Sequence, residues 1–290
     1  MIIMFTGRYL FTTIVLIHRR DGPGFVHVDR SACVSNRSTF GSDSLTPGMD
    51  VLGDLVARDR RSERPAFYAA ETNRSVSYHD FCTTAYKAGN VLRYLGVREG
   101  ATVAVGGGVG RHPLWAFYGA GQLGATTRFV DGEAAATGDP RVLLLPVADE
   151  ETVSPGPSTK LATYGGAPAQ ATTLHWEKEL WSENPAVHPT DVDPADPLLA
   201  GGEETYTHAD LLDAARAVVD AFDLGEASRI AVRGPLVQPH VVAAGLVAPI
   251  LAGGTVVVPD EGASADVAVV GDDDENPPEP RACRAADVPL

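Results

Sequence analysis

Residues 76–108 read VSYHDFCTTAYKAGNVLRYLGVREGATVAVGGG, and residues 205–235 read TYTHADLLDAARAVVDAFDLGEASRIAVRGP. The second stretch repeats the order of the first. An Asp-apolar pair (Asp80-Phe81, Asp210-Leu211) opens an apolar-periodic run, a Leu-Gly stop closes it (Leu95-Gly96, Leu224-Gly225), and a short apolar run follows at residues 103–105 and 230–232. Beyond each lies a Gly or Gly-Pro turn. A small-residue segment then leads into an apolar run that reaches Asp131 or Asp260: RHPLWAFYGAGQLGATTRFVDG from Arg111, QPHVVAAGLVAPILAGGTVVVPDEG from Gln238. The repeats lie about 128 residues apart, too far for a solenoid period. Apolar residues at helical spacing, a glycine just past the last turn and short uninterrupted apolar runs predict helix–strand–helix–strand in each repeat.

Strands that are apolar on both faces imply a parallel sheet with right-handed crossovers. The expected fold is therefore α/β: two similar Rossmann-like three-layer units, an internal repeat, with mostly parallel sheets packed about a pseudo-twofold. In the first unit, residues 49–150, helices are expected at 79–95 and 114–123, strands at 102–105 and 126–130, and a further apolar run at 141–147 (RVLLLPV). In the second, residues 198–271, helices are expected at 209–222 and 241–251 and strands at 230–232, 255–258 and 266–270 (DVAVV). Upstream, residues 50–58 read as a short amphipathic helix, and residues 65–70 and 75–78 as a strand pair around the polar turn 71–74. Residues 151–197 form a Pro/Gly-rich connector with one short helix at 175–181. Residues 272–290, DDDENPPEPRACRAADVPL, form an acidic tail expected to be disordered.

The charge is lopsided, with 38 Asp plus Glu against 23 Lys plus Arg, a net of −15. Only Lys87, Lys160 and Lys178 are lysines. An acidic, lysine-poor surface suits a halophilic cytoplasm, where salt screens charge strongly, and argues against nucleic acid as a partner. The three cysteines (Cys33, Cys82 and Cys283) lie too far apart for metal spacing or a disulfide framework, which fits a reducing compartment. Residues 1–48 differ from the rest, with five Arg, three Asp and no Glu. Their apolar start is short and interrupted by Arg8, so no membrane span is expected. Met49 opens a conventional beginning, MDVLGDLVARDRRSERPAFY, and residues 1–48 are expected to be an over-called start.

The order and spacing of these pieces over residues 50–270 resemble the N-terminal region of the adenylate-forming superfamily, the AMP-forming acyl-CoA synthetases. The first repeat is similar to that family's opening segment: Ser77-Tyr78-His79-Asp80-Phe81 leading a helix, then Leu95-Gly96-Val97-Arg98-Glu99-Gly100, then Gly119-Ala120-Gly121-Gln122-Leu123-Gly124-Ala125. The second is similar to the segment after the family's phosphate loop, in Thr207-His208-Ala209-Asp210-Leu211-Leu212, Pro235-Leu236 and residues 246–257. The resemblance implies an AMP-binding, ligase-like scaffold whose ligands would be ATP, AMP or CoA and whose partner would be a full-length synthetase or other protein. The sequence also departs from the family. The family carries a Ser/Thr/Gly-rich loop ending in Pro-Lys-Gly before the Thr-His helix, and its amides and lysine cradle polyphosphate. Here residues 193–208 read DPADPLLAGGEETYTH: two glycines, then Glu203-Glu204, and no lysine after Lys178. The family's later Thr-Glu pair, its ribose-holding Asp and its C-terminal-domain lysine do not occur in residues 193–290. The expectation is a degenerate synthetase-like protein, a pseudoenzyme without adenylating activity and with no catalytic residues. Alternatives are a small-molecule binding module with an acyl or nucleotide cleft between the units, or an active AMP-forming ligase with an unrecognised loop.

Among individual constellations, Gly106, Gly107, Gly108, Gly110 and Arg111 follow a strand and precede a helix, the placement of an anion site. They match neither G-x-G-x-x-G nor a P-loop, and a packing turn is the expected reading, with the anion site a weak candidate. His79, His112, His208 and His240 recur near equivalent places; the last three have no Cys or His at i+3 or i+4 and His79 has only Cys82 at i+3, so no metal site is expected. Asp196, Glu203, Glu204 and Asp210 are read as a solvated acidic face rather than a Mg²⁺ cluster.

Overall fold

A computed structural model describes residues 48–131, 137–262, 264–272 and 276–290; apart from Gly48, the expected over-called start lies outside them. The chain enters through two 3-10 turns, Leu52–Val56 and Arg58–Arg60, and a hairpin of β1 (Pro65–Ala69) and β2 (Arg74–Ser77). The expected helix at 50–58 is thus two tighter turns. The Asp54 carboxylate accepts the N–H groups of Asp50 and Val51, and Gly53 interrupts an α-helical run.

Ser77 caps α1 (Tyr78–Tyr94), its hydroxyl accepting the Asp80 N–H at 3.2 Å. Next come β3 (Thr102–Gly106), α2 (Arg111–Gly121), β4 (Thr126–Val130) and β5 (Val142–Pro146). β6 (Lys160–Tyr164), β7 (Leu174–His175) and α3 (Trp176–Ser182) follow. The second repeat also begins with a hairpin, β8 (Pro197–Gly201) and β9 (Glu204–Thr207). At the start of α4 (His208–Phe222), Asp210 N donates to Thr207 Oγ1 at 3.1 Å, and Thr207 N donates to an Asp210 carboxylate oxygen at 2.8 Å. β10 (Arg229–Val232), α5 (Pro239–Val242), a π-helical turn (Ala243–Val247), α6 (Ala248–Ala252), β11 (Thr255–Val258), β12 (Val267–Val269) and β13 (Ala282–Cys283) complete the order. The π turn has a local cause: the Pro249 ring meets the carbonyl four residues back, and the helix widens to relieve it.

The strands form two mostly parallel sheets, ordered β7-β6-β5-β3-β4-β8-β9 and β13-β12-β10-β11-β1-β2. Each hairpin sits in the other repeat's sheet. β1 runs parallel to β11 (Phe67↔Val256), and β8 runs parallel to β4 (Thr127↔Leu199). The α/β class and the pseudo-twofold hold. The two units, however, interlock rather than dividing at residues 150 and 198.

One apolar core spans both repeats, with Phe81, Leu92, Phe117 and Tyr118 from the first and Leu211, Leu246, Val247 and Ile250 from the second. Tyr118 crosses between them, its hydroxyl donating to Leu246 O at 3.0 Å. The entering arm reinforces the union. The Leu52 N–H donates to His208 Nδ1 at 2.9 Å, Arg216 donates to Met49 O at 2.6 Å, and Arg60 donates to the carbonyls of Ile250 and Leu251 at the end of α6.

Two segments differ from expectation. The connector 151–197 contributes β6 and β7, which extend the first sheet past β5 (Leu144↔Ala162, Thr163↔His175) and cover an edge that would otherwise be bare. The tail is not uniformly irregular. β13 pairs with β12 through Val269↔Cys283, and Cys283 is fully buried. The cause is a buried ion pair. Arg233 Nε and Nη2 each donate at 2.7 Å to the two carboxylate oxygens of Glu279, whose side chain has no exposed surface. Burial pushes the Glu279 carboxyl up, but the hydrogen bonds from Arg233 and the Ser264 N–H outweigh it and leave the group below its usual range. Breaking one partner of such a pair strands the other charge. Glu279→Ala is expected to cost about 3 kcal/mol in urea denaturation and to make the chain after Gly271 cleavable by protease under native conditions.

Candidate functional site

The glycine loop after β3 is built for close packing on one side. Gly107 has φ +93°, and a side chain there would collide with the Tyr164 hydroxyl and Pro146. Tyr164 closes the loop by donating to Gly106 O at 2.8 Å. Gly106 ends β3, Gly107 and Gly108 are exposed, and Gly110 caps α2 in extended backbone without a side-chain cap. Of the expected anion-site residues, Arg111 lines a cleft.

That cleft has a volume of about 480 Å³ and lies between α1, α2 and α3, rimmed by the edge strand β2. From α1 come Asp80, Thr83, Thr84 and Lys87, one or two helical turns apart on a single face. From the first turns of α2 come Arg111, His112 and Trp115, and from α3 come Glu177, Leu180 and Trp181. Trp181 is 88% exposed. The cleft lies on one flank rather than between the two units, where the sequence placed it. The signal that could have located it is the α1 face joined to the Arg-His-Pro start of α2; the α3 wall came from a segment read as connector.

Glu177 is half engaged: its Oε1 accepts the Gly165 N–H at 2.5 Å, its Oε2 has no hydrogen-bond partner, and the carboxylate lies 3.7 Å from His112 Nε2 and 3.6 Å from His175 Nε2. Asp80 lies 3.3 Å from His79 Nδ1. Lys87 has no hydrogen bond or ion pair among the described residues, and Arg111 donates only through Nε, to His112 Nε2 at 3.2 Å. That bond makes His112 Nε2 an acceptor, so the ring is neutral with its proton on Nδ1. Burial pushes the His112 imidazole down to about 4, with Arg111 assisting and Glu177 opposing. His112 also stacks on Tyr164, with ring centroids 5.1 Å apart. The buried His112 Nδ1, Trp115 Nε1 and Thr83 Oγ1 have no partner.

The other histidines divide in a way the repeat did not suggest. His208 occupies the first position of α4, and its structural equivalent is Tyr78, not His79. The N–H of His208 reaches Asp196 O and that of Tyr78 reaches Arg64 O, while His79 pairs in the same way with Ala209. His208 is fully buried, and burial pushes it down to about 4 against the opposing Asp196. His240 lies 3.3 Å from Val270 O. His79 and His112 each lie beside one carboxylate, but among the described residues no group of three or more His, Cys, Asp or Glu could hold a metal. The acidic residues do local work. The Asp210 carboxylate accepts the Thr207 N–H at 2.8 Å in the capping box of α4, Asp196 accepts the Asp193 N–H at 2.9 Å, and Glu204 accepts the Tyr206 hydroxyl at 2.5 Å.

Where a phosphate loop was sought, the chain makes a two-residue turn. Gly201 pairs with Glu204, leaving only Gly202 (φ +63°) and Glu203 at the tip, and all of residues 202–205 are exposed. No cradle of amides is present at this turn, and the nearest side-chain charges are carboxylates. The residues do not fit a polyphosphate.

No protein-family model and no curated protein sequence matches the chain. Solved structures do. The anthranilate CoA ligase AuaEII, in complex with anthranoyl-AMP, aligns with TM-score 0.67 and 17% identity over 76% of this chain and 49% of the other. The N-terminal domain of FACL13 from Mycobacterium tuberculosis aligns with TM-score 0.64 and 15% identity over 76% of this chain and 62% of the other. ATP-bound MatB from Rhodopseudomonas palustris aligns with TM-score 0.63 and 15% identity over 77% of this chain and 49% of the other. The chain therefore has the fold of the N-terminal region of adenylate-forming acyl-CoA ligases, and it spans about half the length of the full ligases it matches. No helix among the described residues is long and apolar enough to cross a membrane.

Two of the buried imidazoles, His112 and His208, make stability depend on pH. Both are lowered from 6.5 to about 4 by folding. Below pH 6.5 the unfolded chain binds protons that the folded chain excludes, so their contribution is full above 6.5 and is lost progressively toward 4, each unit being worth about 1.4 kcal/mol. Urea midpoints measured across this window are expected to fall with pH. The fall should be shallower in His208→Gln, whose side chain still accepts the Leu52 N–H but does not titrate.

Proposed function

We propose that this protein is a non-adenylating relative of the AMP-forming acyl-CoA ligases, keeping the N-terminal scaffold without its phosphate-handling loop. The observation that carries this is the β8–β9 turn. Adenylation requires the charge on ATP phosphates to be neutralised while a carboxylate attacks in line. Gly202-Glu203 offers a tip of two residues and a carboxylate, with Glu204 beside it. Burying or approaching a polyphosphate there would add repulsion rather than remove it. The scaffold would then act by contact with a partner, a full-length synthetase being the natural one. The net charge of −15 and three lysines support a salt-rich cytoplasm as its setting.

ATP–pyrophosphate exchange with a mixture of short, medium and aromatic acids tests this reading. No exchange above background is expected, in the native sequence or in Glu203→Gly/Glu204→Lys; robust exchange by the native protein overturns it.

A second reading, a small-molecule binding module, is favoured by the cleft between α1, α2 and α3, whose size lies within the usual range for ligand sites. Saturable stabilisation by a small ligand in thermal melts would support it.

A further inference from the structure

Resting on the binding-module reading, we infer that the α1–α2–α3 cleft is a binding site for a small aromatic monoanion, with its charged group held by Lys87, Arg111 and the start of α2 and its ring held against Trp115 and Trp181. Three independent features converge on this ligand class.

The first is an imbalance of unmet hydrogen-bonding capacity. His112 and Trp115 are 8% and 9% exposed, both line the cleft, and each carries a buried ring nitrogen without a partner. With His112 Nε2 accepting from Arg111, its Nδ1 carries the proton, and the indole nitrogen of Trp115 is always a donor. The Thr83 hydroxyl, which can also donate, is unpartnered as well, and Glu177 Oε2 is the one unpartnered acceptor of the cleft, so donors outnumber it three to one among the described residues. A buried donor without an acceptor is unfavourable, and an acceptor-rich ligand group that reaches it removes that cost.

The second is the distribution of charge. Asp80 lies 3.3 Å from His79 Nδ1 and one Glu177 oxygen accepts the Gly165 N–H while the other has no hydrogen-bond partner, whereas Lys87 has no hydrogen bond or ion pair among the described residues and Arg111 uses only one of its nitrogens. Arg111 and His112 open an eleven-residue helix whose N-cap, Gly110, offers no side-chain acceptor, so the first amides and the helix dipole favour an anion. Pro113 lacks an N–H, which narrows the demand to one small group rather than a polyphosphate.

The third is the wall. Val76, Leu180 and the two indoles give the remainder of the cleft an apolar lining, and Trp181 presents its ring to solvent at 88% exposure. Flat aromatic surfaces of this kind pair with a planar ring in offset-stacked or edge-to-face geometry.

Isothermal titration calorimetry at matched ionic strength tests the assignment, using indole-3-acetate, neutral indole-3-acetamide and inorganic phosphate as probes. Indole-3-acetate is expected to bind with one-to-one stoichiometry and about tenfold more tightly than the amide. Lys87→Gln/Arg111→Gln should erase that preference. Trp181→Ala, at an exposed position where folding is not at stake, should weaken both indoles equally. Glu177→Gln should tighten the anion, and circular dichroism would confirm that each variant folds. The assignment falls if the amide binds as tightly as the acid, if phosphate binds and competes as well as indole-3-acetate, or if the acid's preference survives the double variant. In that last case binding occurs elsewhere, and the binding-module reading stands without this site. Absence of heat from all three probes defeats the assignment; the broader reading falls with it only if no ligand stabilises the protein in thermal melts.

Discussion

The parallel pairings of β1 on β11 and of β8 on β4 make one molecule out of two repeats. Each repeat surrenders its opening hairpin to the sheet of the other. Neither sheet is complete without residues from both halves, so the core between them is continuous rather than a contact of finished domains. The entering arm depends on the same arrangement. Arg60 and Arg64 can reach the end of α6 and Gly253 only because β1 lies beside β11. The Tyr78 hydroxyl donates to Gly254 O at 2.8 Å across the same junction.

The exchange also decides where chemistry can sit. In both repeats the hairpin tip is an exposed end of a sheet edge, next to the helix that follows. In the first repeat that tip is the four-residue stretch between Ala69 and Arg74, and in the second it is Gly202-Glu203 alone. A tight turn exposes its backbone but has no concavity, which leaves the second tip unable to surround an anion. The concave surface lies instead where α3, carried in by the added strands β6 and β7, leans over α1 and the start of α2.

Burial sets the character of the ionisable groups on both sides of the molecule. His112 and His208 are held neutral because each packs in the interior with one nitrogen accepting an N–H. Burial likewise pushes Cys82 up to about 11 and Cys283 up to about 12, which leaves both thiols protonated and unreactive at neutral pH. Glu279 takes the opposite course because Arg233 meets it with two hydrogen bonds. That one pair turns an acidic, Pro-rich tail into a sheet edge.

Periodicity was enough to locate α1, α4 and the central strands, since apolar spacing and the Leu-Gly stops depend only on neighbours along the chain. The repeat carried the α/β class and the pseudo-twofold, because two similar local patterns bury similar faces. It also held a signal left unread. Pro197-Leu198-Leu199 followed by Thr205-Tyr206-Thr207 mirrors Pro65-Ala66-Phe67 followed by Ser75-Val76-Ser77, down to the register shift after each proline. What sequence could not supply was partnership at a distance. The exchange of hairpins, the strand status of residues 160–164, the Arg233–Glu279 pair and the meeting of Lys87, Arg111 and Trp181 in one cleft each join residues tens to more than a hundred positions apart. Local pattern reports which faces must be buried. Which partner buries them is settled only when the whole chain closes and unpaired strand edges, charges and donors find the groups that satisfy them.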